Sequence, residues 1–478
     1  MRVRRWLLLA GVVVLAGCAG GATRTATAPR ATWHASAAQQ AFLDTLAERT
    51  FRWFWDVTDA RTGLTPDRWP TRSFVSIAAT GFALTAYPIG AERGWVTRGE
   101  ARDRTLATLR FLWSARQDTA RAGVIGYRGF YYHFLNPEDG SRFRDVELST
   151  IDTALLLGGV LFCQSYFDRG DAAEAEVRAL ADSIYLRVDW RWAMARPQRI
   201  SHGWNPETGF IEWDWLGYNE SMLVPILALG STRHDVGDGV WSMWVSPCRW
   251  ETWQDIEHVP FPPLFGHQYS HVWVDFAGIQ DSLMRAHDSD WFENSRRATQ
   301  AQRLYAIDNP GKFRGYGERL WGLTACDGPH DTTVTIAGVK RTFRTYAARG
   351  APFHDDSDDG TIAPTAAGGS VAFAPEIAVP VLMAMREDWG AHAYNQYGFV
   401  DAFNPTLNVA MHTQHGIVVP GVGWFDGDQL GIDQGPILAM IENQRSGLVW
   451  RTMRKNPYVV RGLRRAGFTG GWLDQAPR

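Results

Sequence analysis

The sequence predicts one all-α domain in residues 37–478, built as a closed ring of helical hairpins with short β-hairpins in its loops. Apolar residues recur at helical spacing in about ten to twelve segments. Strand-like patches between them are flanked by Gly, Asn and Pro, as hairpins usually are. No Pro- or Ser-rich linker follows residue 36, so nothing divides the remaining chain. With 45% hydrophobic and 21% charged residues, the 478-residue chain can bury a large core.

The helical segments are predicted from apolar periodicity and from stop signals. In the first of them, Phe42, Leu46 and Phe51 are spaced close to the ~3.6-residue period. Gly230 follows Leu229 as a helix-terminating glycine should. The predicted helices are 37–56, 74–87, 98–116, 146–167, 172–195, 219–230, 269–286, 291–309, 375–388 and 434–449.

Three irregular stretches connect these helices. The aromatic patches 129–135 and 209–215 predict hairpins over an open face. Residues 322–369 are rich in Gly, Asp, Thr and Pro and have little periodicity. So long a loop in a compact domain is usually functional.

The first residues indicate a bacterial lipoprotein signal peptide, 1–18. A basic start precedes an apolar run, Trp6–Gly17, which is shorter than the ~20 residues of a membrane span. Leu15–Cys18 resembles a lipobox, whose Cys receives a diacylglyceryl anchor; a cleaved signal with an incidental Cys18 is the alternative. The residue after Cys18 is Ala19 and not Asp, which in lipoproteins of this kind favours the periplasmic face of the outer membrane. Residues 19–36 are expected to be a flexible tether.

Charge and cysteine content exclude some partners. A net charge of −3 indicates no basic surface for binding nucleic acid. We separately expect the protein to be a monomer. The 23 Trp suit either helix seams or sugar ligands. Cys163, Cys248 and Cys326 lack CxxC spacing, so zinc is not indicated, and a disulfide between two of them stays open. Cys163, in an apolar run, is expected to be a buried core thiol.

Carboxylates stand at the start of the predicted helix 146–167. Asp145, Ser149 and Asp152 would share one helical face, and Asp145 and Glu147 suit a helix N-terminus. Capping explains Asp145 or Ser149 equally well. It does not explain Asp152, whose carboxylate would be costly in an apolar helix unless it faces a wet cavity.

A second group lies at the start of helix 219–230. Tyr218, Asn219 and Glu220 follow Trp213 and Trp215. A carboxyl packed against aromatic rings is desolvated, which raises its pKa and makes it a candidate general acid. The alternative is that Asn219 caps the helix and Glu220 only complements its dipole.

Further carboxylates occur toward the C-terminus. Asp401 is alone among aromatics, Gly and Pro, where a turn-stabilising role is equally plausible. Asp433 suits an N-cap, with Pro436 in the first turn. Glu442 and Arg445 could simply pair along the helix.

No metal or cofactor is predicted. His267 and His271 have the spacing of a zinc helix, but no Glu follows the first His, so sugar contacts are preferred. Asp426 with Asp428, and the 355–359 aspartates, lack a full calcium-loop pattern. The chain also has no GxSxG, no P-loop and no dinucleotide fingerprint.

Six motifs in order resemble the glucoamylase-like domain of glycoside hydrolase family 144, the bacterial β-1,2-glucanases, over about Phe42 to Leu463. They are Tyr218–Glu220, His267–Ser270, Trp321–Pro329, Gly369–Glu376, Tyr397–Asn404 and Gly431–Asn443. The resemblance implies an (α/α)6 barrel with a groove at one end and inverting hydrolysis of β-1,2-glucan (sophoro-oligosaccharides). Ser149 departs from the more acidic pattern of some members, which leaves endo or exo action open.

The resemblance also implies residue roles. The family's acid falls on Glu220 and its base best matches Asp401, with Asp433 as the next choice. Inverting hydrolysis needs such a pair of carboxyl groups. The residues expected to hold substrate are Asp145, Glu147, Asp152, Trp213, Trp215, Tyr218, Asn219, His267, Gln268, Tyr269, Asp327, Glu376, Asp433 and Glu442.

Two other functions stay open. The protein could hydrolyse another glucan linkage, because a fold does not determine the linkage. It could also be a surface lipoprotein that binds glycans without cleaving them, in which case Glu220 and Asp401 would be dispensable.

Overall fold

The computed structural model describes residues 33–351 and 357–477. Residues Ala35–Arg478 form one compact unit. The predicted signal peptide, Cys18 and most of the tether lie outside the described residues. Within the described ranges, no helix is both long enough and apolar enough to cross a bilayer.

Helices dominate the described part of the chain. They are α1 Ala37–Val57, α2 Ile77–Glu92, α3 Arg98–Ser114, α4 Thr150–Tyr166, α5 Ala172–Arg187, α6 Trp190–Ala193, α7 Leu223–Gly230, α8 Gly239–Val245, α9 Tyr269–Trp273, α10 Ser282–Ala286, α11 Trp291–Asp308, α12 Pro364–Gly368, α13 Pro375–Ala393, α14 Gly431–Arg445, α15 Leu448–Met453 and α16 Pro457–Arg465. Short 3₁₀ helices span Glu220–Met222, Leu264–His267 and Gly471–Gln475.

The strands are short and pair antiparallel. They are β1 Arg68–Trp69, β2 Val75–Ser76, β3 Gly126–Tyr127, β4 Phe130–Tyr132, β5 Phe134–Leu135, β6 Leu148–Ser149, β7 Gly203–Asn205, β8 Gly209–Phe210, β9 Glu251–Trp253, β10 Ile256–His258, β11 Ala325–Cys326, β12 Thr332–Ile336, β13 Val339–Phe343, β14 Ala347–Ala348, β15 Tyr394–Asn395, β16 Gly398–Phe399, β17 Phe403–Asn404, β18 Ile417–Val419, β19 Gly423–Phe425 and β20 Gln429–Leu430. The largest described sheet has the order β3-β4-β6-β7-β8, and another has the order β17-β19-β18. The remaining pairs are β1-β20, β2-β5, β9-β10, β11-β14, β12-β13 and β15-β16.

Two kinds of helix are present. Helices α2, α4, α7, α12 and α14 are buried along nearly their whole length. A helix that is buried on all sides lies in the interior of a fold. By contrast, α3 and α5 each bury one face and expose another.

The first turns of the buried helices lie together. Short strands bring α2 and α4 into register, since Ser76 pairs with Phe134 and Tyr131 pairs with Ser149. Side-chain hydrogen bonds link the other starts: Trp215 Nε1 to Thr150 Oγ1 (2.9 Å), Ser270 Oγ to Glu220 O (2.6 Å), Gln268 Nε2 to Ala366 O (2.8 Å) and Thr365 Oγ1 to Asp433 O (2.9 Å). The helix starts therefore surround a common region.

Some predicted boundaries were wrong. Helix α4 begins at Thr150 rather than 146, because Leu148–Ser149 forms β6 between β4 and β7. The predicted helix 269–286 is broken into α9 and α10. There Asp275 accepts a hydrogen bond from Ala277 N (3.0 Å), and Gly278 takes a positive φ of 75°. Such side-chain turns compete with helix formation.

The three described cysteines are buried free thiols, so the disulfide that the sequence left open does not form. Cys163 donates to Leu84 O at 3.0 Å, and burial raises its pKa to about 12. Its predicted place in the core is confirmed.

Candidate active site

Glu220 is the first residue of a 3₁₀ turn that leads into α7. Asn219 caps this turn by accepting a hydrogen bond from Ser221 N at 2.9 Å. The Glu220 side chain is half-buried. Desolvation, and secondarily the nearby negative charge of Asp152, raise its pKa to about 7. A carboxyl group in this environment holds a proton near neutral pH.

Asp152 belongs to a charged trio at the start of α4. It accepts a hydrogen bond from Ser149 Oγ at 2.5 Å. His133 lies between two carboxylates, with Nδ1 2.7 Å from Glu147 Oε1 and Nε2 3.5 Å from Asp152 Oδ2. Burial lowers the His133 pKa, but Asp152 and Glu147 outweigh it and raise the pKa to about 9. At neutral pH His133 is therefore a cation between the two carboxyl groups.

A second group of carboxylates surrounds Asp401. The Asp327 backbone N–H donates to Asp401 Oδ2 at 2.7 Å. Asp401 Oδ1 is buried and receives no hydrogen bond from an N–H or hydroxyl group of the described residues. Burial raises the pKa of Asp401 to about 6, although a hydrogen bond with the Asp433 carboxyl group opposes this. Oδ2 of Asp401 is thus held by a backbone N–H, and its carboxyl group interacts with that of Asp433.

Arg68 neutralises part of this group. Its Nη1 donates to Asp327 Oδ2 at 2.5 Å, and its Nε donates to Asp67 Oδ2 at 3.2 Å. Although burial opposes ionisation, Asp327 and Asp67 raise the pKa of Arg68. The backbone of Arg68 is held in place by strands β1 and β20, which pair Arg68 with Leu430, just before α14.

Asp426 and Asp433 add further negative potential. Carboxylate oxygens of Asp327, Asp401 and Asp426 lie within 4.8 Å of one another. Burial and the neighbouring carboxylates raise the pKa values of Asp426 and Asp433 well above the usual value. Such crowded carboxylates share protons, since all of them cannot be ionised together.

Tyr269, the first residue of α9, connects the two groups. Burial raises the pKa of its hydroxyl, and so do the charges of Asp433, Glu220 and Asp401. The hydroxyl therefore lies within electrostatic range of all three carboxyl groups. Glu220 and Asp401, 181 positions apart in the sequence, thus both act on the same hydroxyl group.

Four predicted substrate ligands have structural partners. Tyr218 stacks on Trp291, with ring centroids 4.8 Å apart. His267 is fully buried, and burial lowers its pKa well below the usual value, so it is neutral. Gln268 donates to Ser370 Oγ at 2.9 Å. Asn219 caps the 3₁₀ turn, which agrees with the capping role that the sequence analysis gave as the alternative to substrate binding.

The two predicted stacking tryptophans differ. Trp213 is 70% exposed, and its ring is available to a ligand. Trp215 is buried and stacks on His202 at 3.7 Å between centroids, so one face of its ring is covered. Of the two, Trp213 is the better candidate for stacking on sugar.

Three predicted ligands lie apart from these groups. Asp145 is exposed and does not share a helical face with Asp152, because α4 starts five residues after it. Glu376 is exposed and pairs with Arg296 (3.1 Å). Glu442 pairs with Arg93 (2.6 Å), near the opposite end of α14 from Asp433, and not with Arg445.

Sequence reasoning missed His133, Asp67, Arg68 and Tyr346. His133 was the one histidine or charged residue in the aromatic hairpin patch 129–135, which could have singled it out. Arg68 gave no such signal, because its partner Asp327 is 259 residues away. Tyr346 as a whole is 47% exposed. Burial of its hydroxyl and the charges of Asp433 and Asp401 raise its pKa, so the hydroxyl lies within electrostatic range of these carboxyl groups.

Several known proteins are similar to this chain in sequence and in fold. The family model named Glycoamylase, described as a glucoamylase, matches residues 212–457, slightly more than half of the chain. An exo-β-1,2-glucooligosaccharide sophorohydrolase (non-reducing end) of Parabacteroides distasonis is 26% identical over 455 residues. The match covers 88% of this chain, which spans only 57% of that relative's length.

Solved structures give the same picture. The endo-β-1,2-glucanase of Chitinophaga pinensis, in complex with sophorotriose and glucose, has a TM-score of 0.77 and 25% identity. That match covers 92% of this chain and 100% of the other. A β-1,2-glucanase of Parabacteroides distasonis has a TM-score of 0.75 and 24% identity, covering 90% and 60% of the two chains, and shows the fold alone.

Proposed function

We propose that this chain, which belongs to the glycoamylase family, is a glycoside hydrolase that cleaves β-1,2-glucan by an inverting mechanism. The observation that carries the proposal is that Glu220 and Asp401, far apart in the sequence, both lie within electrostatic range of the Tyr269 hydroxyl. One carboxyl group has a pKa of about 7 and the other of about 6. Two carboxyl groups with separate environments are what an acid and a base require.

Glu220 acts as the general acid. It protonates the glycosidic oxygen as the bond to the anomeric carbon breaks, and the proton is available because desolvation raises its pKa. Asp152 supports this role, since its negative charge also disfavours the ionised form of Glu220.

Asp401 acts as the general base, either directly or through a substrate hydroxyl. Its carboxylate accepts the proton of the attacking water, while Oδ2 is fixed by the Asp327 backbone N–H. Arg68 offsets the charge of Asp327 and favours the ionised form of Asp401, because a neighbouring cation lowers the pKa of a carboxyl group. Attack on the face opposite the leaving group inverts the anomeric carbon.

Glucose hydroxyls would be held by the charged and polar groups between acid and base. Glu147, Asp152, Asp327 and the Tyr269 hydroxyl supply acceptors and a donor within this region. Exposed rings at Trp213 and Tyr346 supply stacking faces. Such a mixture of polar side chains and aromatic faces suits a sugar.

The helix arrangement supports an (α/α)6 barrel. The hydrogen bonds that link the starts of α4, α7, α9, α12 and α14, together with the pairing of β2 with β5 beside α2, fit a closed inner ring. Glu220 would then lie at the N-terminal end of an inner helix, α7, where the helix dipole presents positive potential.

The substrate is tested with a panel of purified glucans. Linear β-1,2-glucan should release reducing ends, and β-1,3-, β-1,4- and α-1,4-glucans should release few. Selective cleavage of another glucan would contradict the linkage. Binding without new reducing ends would make the protein a glycan-binding lipoprotein.

We also propose that the protein is anchored to the periplasmic face of the outer membrane through Cys18. The support is the lipobox Leu15–Cys18 and the Ala19 that follows it. Wild-type protein expressed in a bacterial host should sediment with outer membranes, and Cys18→Ala should not. Equal sedimentation of both would contradict the anchor.

A further inference from the structure

A groove of about 870 Å³ lies on the surface beside Arg68. Its walls come from the β1 region, the segment before α2 and the turn after β5; they include Trp69, Phe74, Phe143 and Arg144. A volume in this range accommodates a ligand of several hundred daltons. Glu220 and Asp401 do not line this groove, so the proposed catalytic step leaves it without a role.

The groove meets the catalytic region on the base side. The side chain of Arg68 lines the groove, and its Nη1 donates to Asp327 Oδ2 at 2.5 Å. Asp327 in turn holds Asp401 through its backbone N–H at 2.7 Å. Arg68 and Asp327 therefore connect the groove to the proposed base.

The groove also meets the catalytic region on the acid side, through a row of aromatic rings. His133 stacks on Phe134 with centroids 4.0 Å apart, and Phe134 lies 4.0 Å from Phe74. The ring centroids of Phe74 and Phe143 are 5.1 Å apart. The Arg144 guanidinium lies over the Phe143 ring, 4.9 Å from its centroid. The row runs from the neighbour of Asp152 into the wall of the groove.

The chemistry of the groove suits an uncharged, hydroxylated chain. Half-buried Phe74 and Phe143 offer apolar faces, and Asn136 offers an amide beside them. The cations Arg72 and Arg144 are offset by Asp59 and Glu138, which also line the groove. The third cation of the lining, Arg68, is paired with Asp67 and Asp327. Since the charges are balanced, nothing selects an anionic polymer.

We propose that this groove, the Phe74 groove, binds glucose residues of a β-1,2-glucan beyond those next to the scissile bond. The inference rests on the proposed function. It makes long chains better substrates than short ones, because additional residues gain binding energy only when the chain reaches the groove.

The test compares two substrates in the same enzyme. For Phe74→Ala and for Arg144→Gly, kcat/KM is measured on long linear β-1,2-glucan and on the shortest oligosaccharide that is cleaved. The ratio of long to short should fall about threefold to tenfold, the size of one aromatic contact. Arg144 has a positive φ of 50°, so glycine removes its side chain without straining the backbone.

The matched control is Trp113→Ala. Trp113 is an aromatic residue of α3 with 43% exposure that does not line the groove, and its ratio should equal that of the wild type. If Phe74→Ala and Arg144→Gly lose kcat/KM equally on both substrates, or on neither, the proposal that the groove binds glucan is overturned. A wild-type enzyme that cleaves no β-1,2-glucan would instead refute the proposed function on which the groove rests.

Discussion

The backbone N–H of Asp327 donates a 2.7 Å hydrogen bond to Oδ2 of Asp401. The bond fixes one oxygen of the buried carboxyl group that we propose as the base. A general base held in this way contributes through its geometry as well as its pKa.

Replacing Asp401 with Asn should lower kcat on linear β-1,2-glucan by about 100-fold or more, because the amide cannot accept the proton of water. Steady-state kinetics measure the effect. Asp255→Asn is the control: Asp255 is exposed and has a φ of 57°, a conformation that Asn tolerates. Unchanged kcat in Asp401→Asn would move the base elsewhere, with Asp433 the next residue to test.

The pH dependence of kcat/KM should be a narrow bell. Activity should rise as Asp401 loses its proton, around its pKa of about 6, and fall as Glu220 loses its proton, around its pKa of about 7. Hydrolysis rates of linear β-1,2-glucan across this range measure both limbs. A rate that stays level well above pH 7 would show that Glu220 is not the proton donor.

His133 should make stability depend on pH. Its folded pKa of about 9 is above the ordinary value of 6.5. The stabilisation is therefore complete below about pH 6.5 and is lost as pH rises toward 9. Urea unfolding of wild type and His133→Gln should show stabilities that converge over this range. A constant difference between the two proteins would refute a charged His133.

Asp359 should be required for stability. Arg349 is fully buried and pairs with Asp359 at 2.8 Å, while its Nη1 donates to the carbonyl of Cys326 at 2.7 Å, next to Asp327. Asp359→Ala leaves a buried cation unpaired, which costs about 3–5 kcal/mol of unfolding free energy. Denaturant titration measures the loss.

The control for Asp359 is a surface ion pair. Asp388→Ala breaks the exposed Arg319–Asp388 pair and should barely change the unfolding midpoint, since water screens such pairs. Equal midpoints for Asp359→Ala and Asp388→Ala would contradict the importance of the buried pair.

Local sequence pointed to Glu220 as a candidate acid more clearly than it pointed to the residues around it. Glu220 was recognisable because it follows aromatic residues at a helix start, and both features are local. The Arg68–Asp327 bond spans 259 residues and depends on the pairing of β1 with β20, which no local pattern encodes. His133 similarly gains its role only when β4 pairs with β6 beside α4.

Periodicity located most helices but not their partners. The helix predicted over 434–449 exists as α14, but it begins at Gly431, so Asp433 lies in its first turn and is not its N-cap. Glu442, near the other end, pairs with Arg93. Apolar spacing identifies which face is buried and not which end faces a cavity. Aspartates that cap or turn the chain, such as Asp275, likewise ended helices that periodicity alone extended.

The most direct test follows the digestion of linear β-1,2-glucan by proton NMR in real time, for the wild type and for Glu220→Gln. The wild type should release new reducing ends of the α configuration first, and Glu220→Gln should release almost none. Products that first appear as the β anomer, or a Glu220→Gln protein that cleaves at the wild-type rate, would contradict the assignment of Glu220 and Asp401 as an inverting pair.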